Sequence, residues 1–194
     1  ISVDRIREHN PQGLILSGGP SSVYESDAPR CDPELFTMGL PVLGICYGMQ
    51  IACAALGGEV HGVSTREYGR AELTVDTSST LFQDTSTEQQ VWMSHGDHVS
   101  KIAPGFEVYG TSPNAPFAIT ADVERHFYAV QFHPEVAHTP SGGAILRNFV
   151  VDVCGCSPEW TMGSFLETEV ERIRKVVGDS RVILGLSGGV DSTV

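Results

Sequence analysis

The most restrictive feature of this chain is a pair of short apolar runs that both stop at glycines. Residues 13–19 read GLILSGG; residues 41–45 read PVLGI and run straight into CYGMQIACAALGG at 46–58. A continuous apolar run of four or five residues, without alternation, suits a strand buried on both faces. Glycines at its end let the backbone turn sharply and pack closely. The small-residue stretch after the second run reads as a helix closed by Gly57-Gly58. Strand, tight turn and helix in that order predict an α/β sheet whose ligand crevice lies outside the carboxyl ends of its strands.

The remaining pattern extends this. DPELFTMG (32–39) reads as a short helix with Asp32 as cap and Pro33 in its first turn. Strands are expected near 69–76, 89–94, 106–111, 116–122 and 127–132, then a helix from Gly142 to Val153. The predicted class is α/β: a mostly parallel open sheet with flanking helices and an antiparallel extension. Residues 154–163 (CGCSPEWTMG) read as a linker, giving domains at 1–157 and 158–194. Ser164 and Glu167 have the spacing of a capping box. The helix they open places Leu166, Val170, Ile173 and Val177 on one stripe suited to a core. RVILGL (181–186) then reads as the first strand of a second α/β domain, and SGGVDST (187–193) as its first loop. The chain starts on Ile1 and stops just after that loop, so the expectation is a segment of a longer protein, aggregation-prone by itself.

Composition excludes some roles. A formal net charge of -12 argues against a general nucleic-acid or anionic-membrane surface. It leaves room for a local phosphate site, because backbone N–H groups bind anions without net positive charge. No apolar run approaches membrane-spanning length. The five cysteines are an odd, irregularly spaced set, which suits a reducing compartment; the cytoplasm is expected. Cys154 and Cys156 have no second Cys or His pair beside them, so no metal is expected there.

Four stretches carry chemistry. Gly44-Ile45-Cys46-Tyr47-Gly48 is G-x-C-x-G between strand and helix, the thiol counterpart of a nucleophile elbow. Such a turn exposes its central side chain, and a helix N-terminus favours thiolate. The alternative for Cys46 is a small buried core residue, the reading given to Cys53. His133-Pro134-Glu135 closes the 127–132 strand; two apart in extended chain, His133 and Glu135 project to one side. A carboxylate on one ring nitrogen fixes the tautomer while the other exchanges protons with a nucleophile. Alone, HPE is as compatible with a polar strand end. With a cysteine elbow on another strand it forms a candidate Cys-His-Glu triad. SGGPSS (17–22) borders the same crevice; Gly19 is a candidate oxyanion donor beside the Tyr47 amide. In WMSHGDH (92–98), Ser94, Gly96 and Asp97 suit a small zwitterion, and substrate shaping is favoured over metal binding by His95 and His98.

GICYGMQ (44–50), FHPE (132–135) and SGGP (17–20) together resemble the class I (triad) glutamine amidotransferases. REYG (66–69), WMSHGDHV (92–99), QFHPEVAHT (131–139) and EWTM (159–162) narrow the resemblance, and SGGVDST is similar to the pyrophosphate loop of N-type ATP pyrophosphatases. The two units in this order resemble the glutamine-hydrolysing GMP synthase family. That resemblance implies Cys46 as nucleophile, His133 as general acid/base and Glu135 as its orienter. It implies an oxyanion hole from Gly19 and Tyr47, and glutamine held by Gln50, Ser94, Gly96 and Asp97. Ser187, Gly188, Gly189, Val190, Asp191, Ser192 and Thr193 would bind ATP, with Asp191 either bracing the loop or reaching Mg2+. The implied partners are glutamine, ATP and xanthosine monophosphate, with a homodimer formed through sequence beyond this chain. Two other readings remain: the glutaminase subunit of a different class I amidotransferase, and a catalytically silent module of the same fold.

Overall fold

The computed structural model describes residues 2–159, 161–183 and 185, with residues 63–66 described in their backbone only. The chain divides into two compact units, Ile1–Cys156 and Ser157–Val194.

The first unit is built on a seven-stranded mixed sheet. In chain order the strands are β1 (Leu14–Leu16), β2 (Val42–Ile45), β3 (Glu59–Val75), β4 (Glu88–Lys101), β5 (Glu107–Thr111), β6 (Ile119–Asp122) and β7 (Phe127–Val130). Their order across the sheet is β1-β2-β7-β6-β5-β3-β4. Only β1–β2 and β2–β7 pair in parallel; the other neighbouring pairs are antiparallel. The α/β class holds, but the expected mostly parallel sheet is corrected among the described residues to a parallel corner with a large antiparallel extension. The reason is the β3–β4 hairpin, far longer than the expected segments at 69–76 and 89–94. Its solvent face is polar, so only the buried half of each strand shows in the apolar pattern.

β2 and β7 are buried on both sides, as continuous apolar runs require; the same expectation is corrected for β1, which lies at the sheet edge with Ile15 47% exposed. Leu43, Ile45, Tyr128 and Val130 pack with Phe132, Ile145 and Phe149. Val42 and Phe127 face the other way, against Val3, Ile6, Leu35 and Phe106. Val3 and Ile6 come from α1 (Val3–His9). The segment expected as a helix at 32–39 is a single 3-10 turn, Pro33–Thr37, whose first amide is capped by the Asp32 carboxylate at 3.0 Å.

Helix α2 (Tyr47–Ala55) leaves β2 directly and lies close on β1. A side chain at Gly48 would come within 1.9 Å of the Leu16 carbonyl oxygen, so only glycine permits this approach. The helix expected at 142–153 begins as α3 (Gly142–Arg147) and widens into a π-helical turn over Asn148–Val153, where the Cys154 amide donates to Phe149 O at 2.9 Å.

In the second unit, α4 spans Met162–Val177. Its cap is Thr161, whose hydroxyl accepts from the Ser164 amide at 3.1 Å while Ser164 Oγ receives the Thr161 N–H at 3.0 Å. The expected Ser164–Glu167 box is therefore corrected by one turn: Ser164 is the far member of the box. Nor is the apolar stripe a core face among the described residues, since no residue of α4 is buried and Leu166 is 63% exposed. Residues 181–183 and 185 form no strand. The rest of RVILGL, and the whole loop Ser187–Thr193, lie outside the described residues. No helix among the described residues is long and apolar enough to cross a membrane.

Candidate active site

Parallel register builds the site. Leu16 lies opposite Gly44, and Ile45 opposite Val130, so β1, β2 and β7 end at one level. The residues leaving these strands therefore meet at their carboxyl ends: Ser17–Gly19 after β1, Cys46 after β2, and Gln131–His133 after β7. The Cys46 amide extends the ladder by donating to Val130 O at 2.8 Å. The His133 amide then reaches across to Trp92 O on β4 at 3.0 Å. Gly18 lies between the two side chains. A methyl group there would come within 2.9 Å of His133 Cε1 and 3.5 Å of Cys46 Cβ.

Cys46 has φ 51° and ψ −107°, a conformation disfavoured for any residue with a side chain. Gly44 has no room for a Cβ against the Gly48 backbone, which forces the turn to close tightly. The result is the elbow expected from G-x-C-x-G. Its thiol is buried, with Ser94 O at 3.7 Å and Gln131 Nε2 donating to the sulfur from 3.8 Å. Here one expectation is corrected. Burial pushes the Cys46 thiol up to about 11, even though the Tyr47 amide, and more weakly Gln131, favour the thiolate. The nearby Glu135 charge adds to the upward push. The helix N-terminus does act as expected, but desolvation outweighs it.

His133 Nδ1 faces Glu135 Oε1 at 2.6 Å, the arrangement expected from HPE. Thr139 fixes the loop: its hydroxyl donates to His133 O at 2.6 Å and accepts from the Trp92 amide at 3.1 Å. With Nδ1 committed to Glu135, Nε2 is the nitrogen left for proton exchange.

A cavity of about 580 Å³ opens beside the sulfur. Of the expected site residues, Gly19, Cys46, Gln50, Ser94, Gly96, Asp97 and His133 all line it. Glu135 stands behind His133. The Tyr47 amide is directed at the Cys46 sulfur, while its ring lies under Gly19 and its hydroxyl donates to Pro29 O at 2.6 Å. Ser94, Gly96 and Asp97, expected at and beyond the end of the strand near 89–94, lie within β4, where a register shift between Gly62 and Glu67 of β3 distorts the hairpin. Gln50 Nε2 donates to Asp97 O at 2.8 Å, tying α2 to β4. The ATP-loop residues from Ser187 to Thr193 lie outside the described residues.

Sequence reasoning put the 17–22 loop at the crevice but gave Ser22 no role, and it missed Glu25 and Tyr68 as lining residues. Ser22 donates through its hydroxyl to the Asp97 carboxylate, and Glu25 and Tyr68 complete the rim. Glu67 lies opposite His95 across the hairpin. The signal for it is REYG facing SHGD, legible only once the hairpin register is known.

Residues 1–153 match the family model described as Glutamine amidotransferase class-I. Among curated relatives, the GMP synthase [glutamine-hydrolyzing] of Enterococcus faecalis is 54% identical over 193 residues, covering 100% of this chain and 37% of that protein. The protein of the same name from Ruegeria sp. is 56% identical over 200 residues, covering 100% and 38%. The chain thus spans under two-fifths of the length of these relatives. Among solved structures, a Thermoplasma acidophilum protein provisionally named as one chain of a GMP synthase superposes with a TM-score of 0.67 at 28% identity, covering 87% of this chain and 81% of that one. A Thermotoga maritima glutamine amidotransferase, at 22% identity and TM-score 0.56, shares the fold over 89% of this chain and 84% of its own. With the elbow cysteine, the strand-end histidine and the cavity between them, these matches place the chain in the class I glutamine amidotransferase family.

Proposed function

We propose that this chain is the glutamine-hydrolysing part of a GMP synthase, releasing ammonia through a Cys46-His133-Glu135 triad. The observation that carries the reading is the shared level of β2 and β7, which brings Cys46 and His133 to one cavity across Gly18. Because the thiol is held neutral by burial, attack requires His133 to remove its proton as the sulfur bonds to the side-chain amide carbon of glutamine. Glu135 steadies the imidazolium that results. The Gly19 and Tyr47 amides receive the developing oxyanion. His133 returns the proton to the departing nitrogen, ammonia leaves, and a γ-glutamyl thioester remains on Cys46. Water, deprotonated by His133, then attacks the thioester; glutamate departs and the thiol is restored. Gln50, Ser94, Gly96 and Asp97 hold the amino-acid end of the substrate.

In the whole protein the ammonia would pass to xanthosine monophosphate activated with ATP. Ser187, Gly188, Gly189, Val190, Asp191, Ser192 and Thr193 would cradle the β,γ-phosphates, with Mg2+ neutralising them. The names and full-chain coverage of the relatives favour this over the glutaminase of another amidotransferase. We place the protein in the cytoplasm as a homodimer; five free cysteines among the described residues suit that compartment.

The test uses the intact protein. Glutamine should yield ammonia, and Cys46→Ala should abolish that release. Pyrophosphate should appear only when ATP and xanthosine monophosphate are both present. Equal ammonia release from Cys46→Ala and wild type refutes the triad; pyrophosphate release without xanthosine monophosphate refutes the synthase.

A further inference from the structure

At the cavity wall, Glu67 on β3 and His95 on β4 face each other in register, and the proposed chemistry uses neither. His95 is 5% exposed. Its Nδ1 lies 3.0 Å from Asp97 O, and its Nε2 lies 3.3 Å from Glu67 Oε2. Both Nε2 and Oε2 are buried and have no aligned hydrogen bond among the described residues.

A neutral imidazole carries one N–H. On Nδ1 it serves Asp97 O and leaves a bare Nε2 lone pair against the carboxylate. On Nε2 it serves Glu67 and leaves a bare Nδ1 against a carbonyl oxygen. Either tautomer buries one acceptor against another, which is costly in a low-dielectric interior. One further proton, on ring or carboxyl, satisfies both contacts. The carbonyl so held is also the acceptor for Gln50 Nε2 at 2.8 Å. It belongs to Asp97, whose side chain lines the cavity and accepts from Ser22.

We infer that Glu67 and His95 form a proton-holding positioning pair that fixes Asp97, so that glutamine binding is linked to proton uptake by this pair. The inference rests on the assignment of the cavity to glutamine. Other titratable groups lie near the ring. Asp97 and His98 flank it on β4; Glu25, Cys46 and His133 share the cavity. Burial pulls the His95 imidazolium below the ordinary histidine value, Glu67 opposes that, and His98 adds to the lowering. If the protonated ring gives the aligned site, glutamine affinity falls as pH rises through the range where His95 loses its proton.

The test is calorimetric binding of glutamine to the intact protein carrying Cys46→Ala, between about pH 5 and pH 8, where histidine changes charge. Affinity should weaken about tenfold across the range, the scale of one hydrogen bond to a charged group. Adding Glu67→Gln should flatten the profile, because an amide can donate to a neutral Nε2 or, flipped, accept from a protonated one. Adding Glu67→Ala should weaken binding most at low pH. Parallel slopes with Glu67 and with Glu67→Gln overturn the pair while leaving the glutamine site intact. Absence of binding at every pH overturns the glutamine assignment and the pair with it.

Discussion

Gly18→Ala separates catalysis from folding in a single methyl group. Its Cβ would come within 2.9 Å of His133 Cε1, while carbon pairs rest at about 3.5–4.0 Å. The imidazole must therefore retreat by about 0.6–1.1 Å. Its ring is the end of a side chain, so the retreat itself costs little. Gly18 is also not among the glycines with positive φ, and removing glycine's unfolded-state freedom returns about 0.4–1 kcal/mol. Stability should thus stay near wild type. Catalysis should not, because misplacing a reacting group by about 1 Å costs about a hundredfold. The expected outcome is a fall in the kcat for ammonia release of about 10- to 100-fold, with an unchanged thermal midpoint. Gly48→Ala is the contrast: its Cβ would strike the Leu16 carbonyl oxygen at 1.9 Å, a backbone atom that cannot swing aside as a side-chain end can. It should lose about 1–3 kcal/mol or more, the scale of overpacking, and unfold at lower denaturant. Gly18→Ala with full kcat would refute the placement of His133 beside Cys46.

Other substitutions probe the supports. Thr139→Val removes the hydroxyl that links His133 O to the Trp92 amide; kcat should fall about tenfold while stability drops by about 1–3 kcal/mol for the groups left unpaired, read by steady-state kinetics and urea unfolding. Asp122 is buried and accepts from the Arg125 amide at 3.0 Å and Nε at 2.7 Å, so Asp122→Ala should cost about 1–3 kcal/mol of stability in the same unfolding assay and leave kcat alone. Burial pushes the Cys46, Cys53 and Cys154 thiols up to about 11, so the native state keeps protons that the unfolded chain sheds nearer the ordinary value of 9.0. Stability should therefore be full below that ordinary value and fall as pH rises from 9 to 11. Cys53→Ala should make the fall shallower in unfolding titrations.

How much the sequence reveals depends on how local each signal is. The elbow at Cys46 is legible because strand, glycines and helix are contiguous, and every steric demand falls within five residues. His133 and Glu135 are legible as a pair for the same reason. Their meeting with Cys46 depends on the β2–β7 register, which only buried apolar runs hint at. The β3–β4 hairpin is only half legible: its polar solvent face hides strand character, so the expected strand stops near Ser94 although β4 runs on to Lys101, and the Glu67–His95 contact can be read only once the hairpin register is known. The thiol differs from expectation because helix-end electrostatics can be read from sequence order, whereas desolvation is a property of packing. On α4, a stripe at helical spacing reads as a core face, yet periodicity identifies an apolar face without naming what covers it.

The most direct measurement of the central claim is mass analysis of the intact protein, acid-quenched while it turns over glutamine. The account requires a glutamyl adduct on the peptide containing Cys46, sensitive to hydroxylamine as a thioester is, and no adduct with Cys46→Ala. Undiminished ammonia release from Cys46→Ala, or an adduct on any other residue, would contradict it.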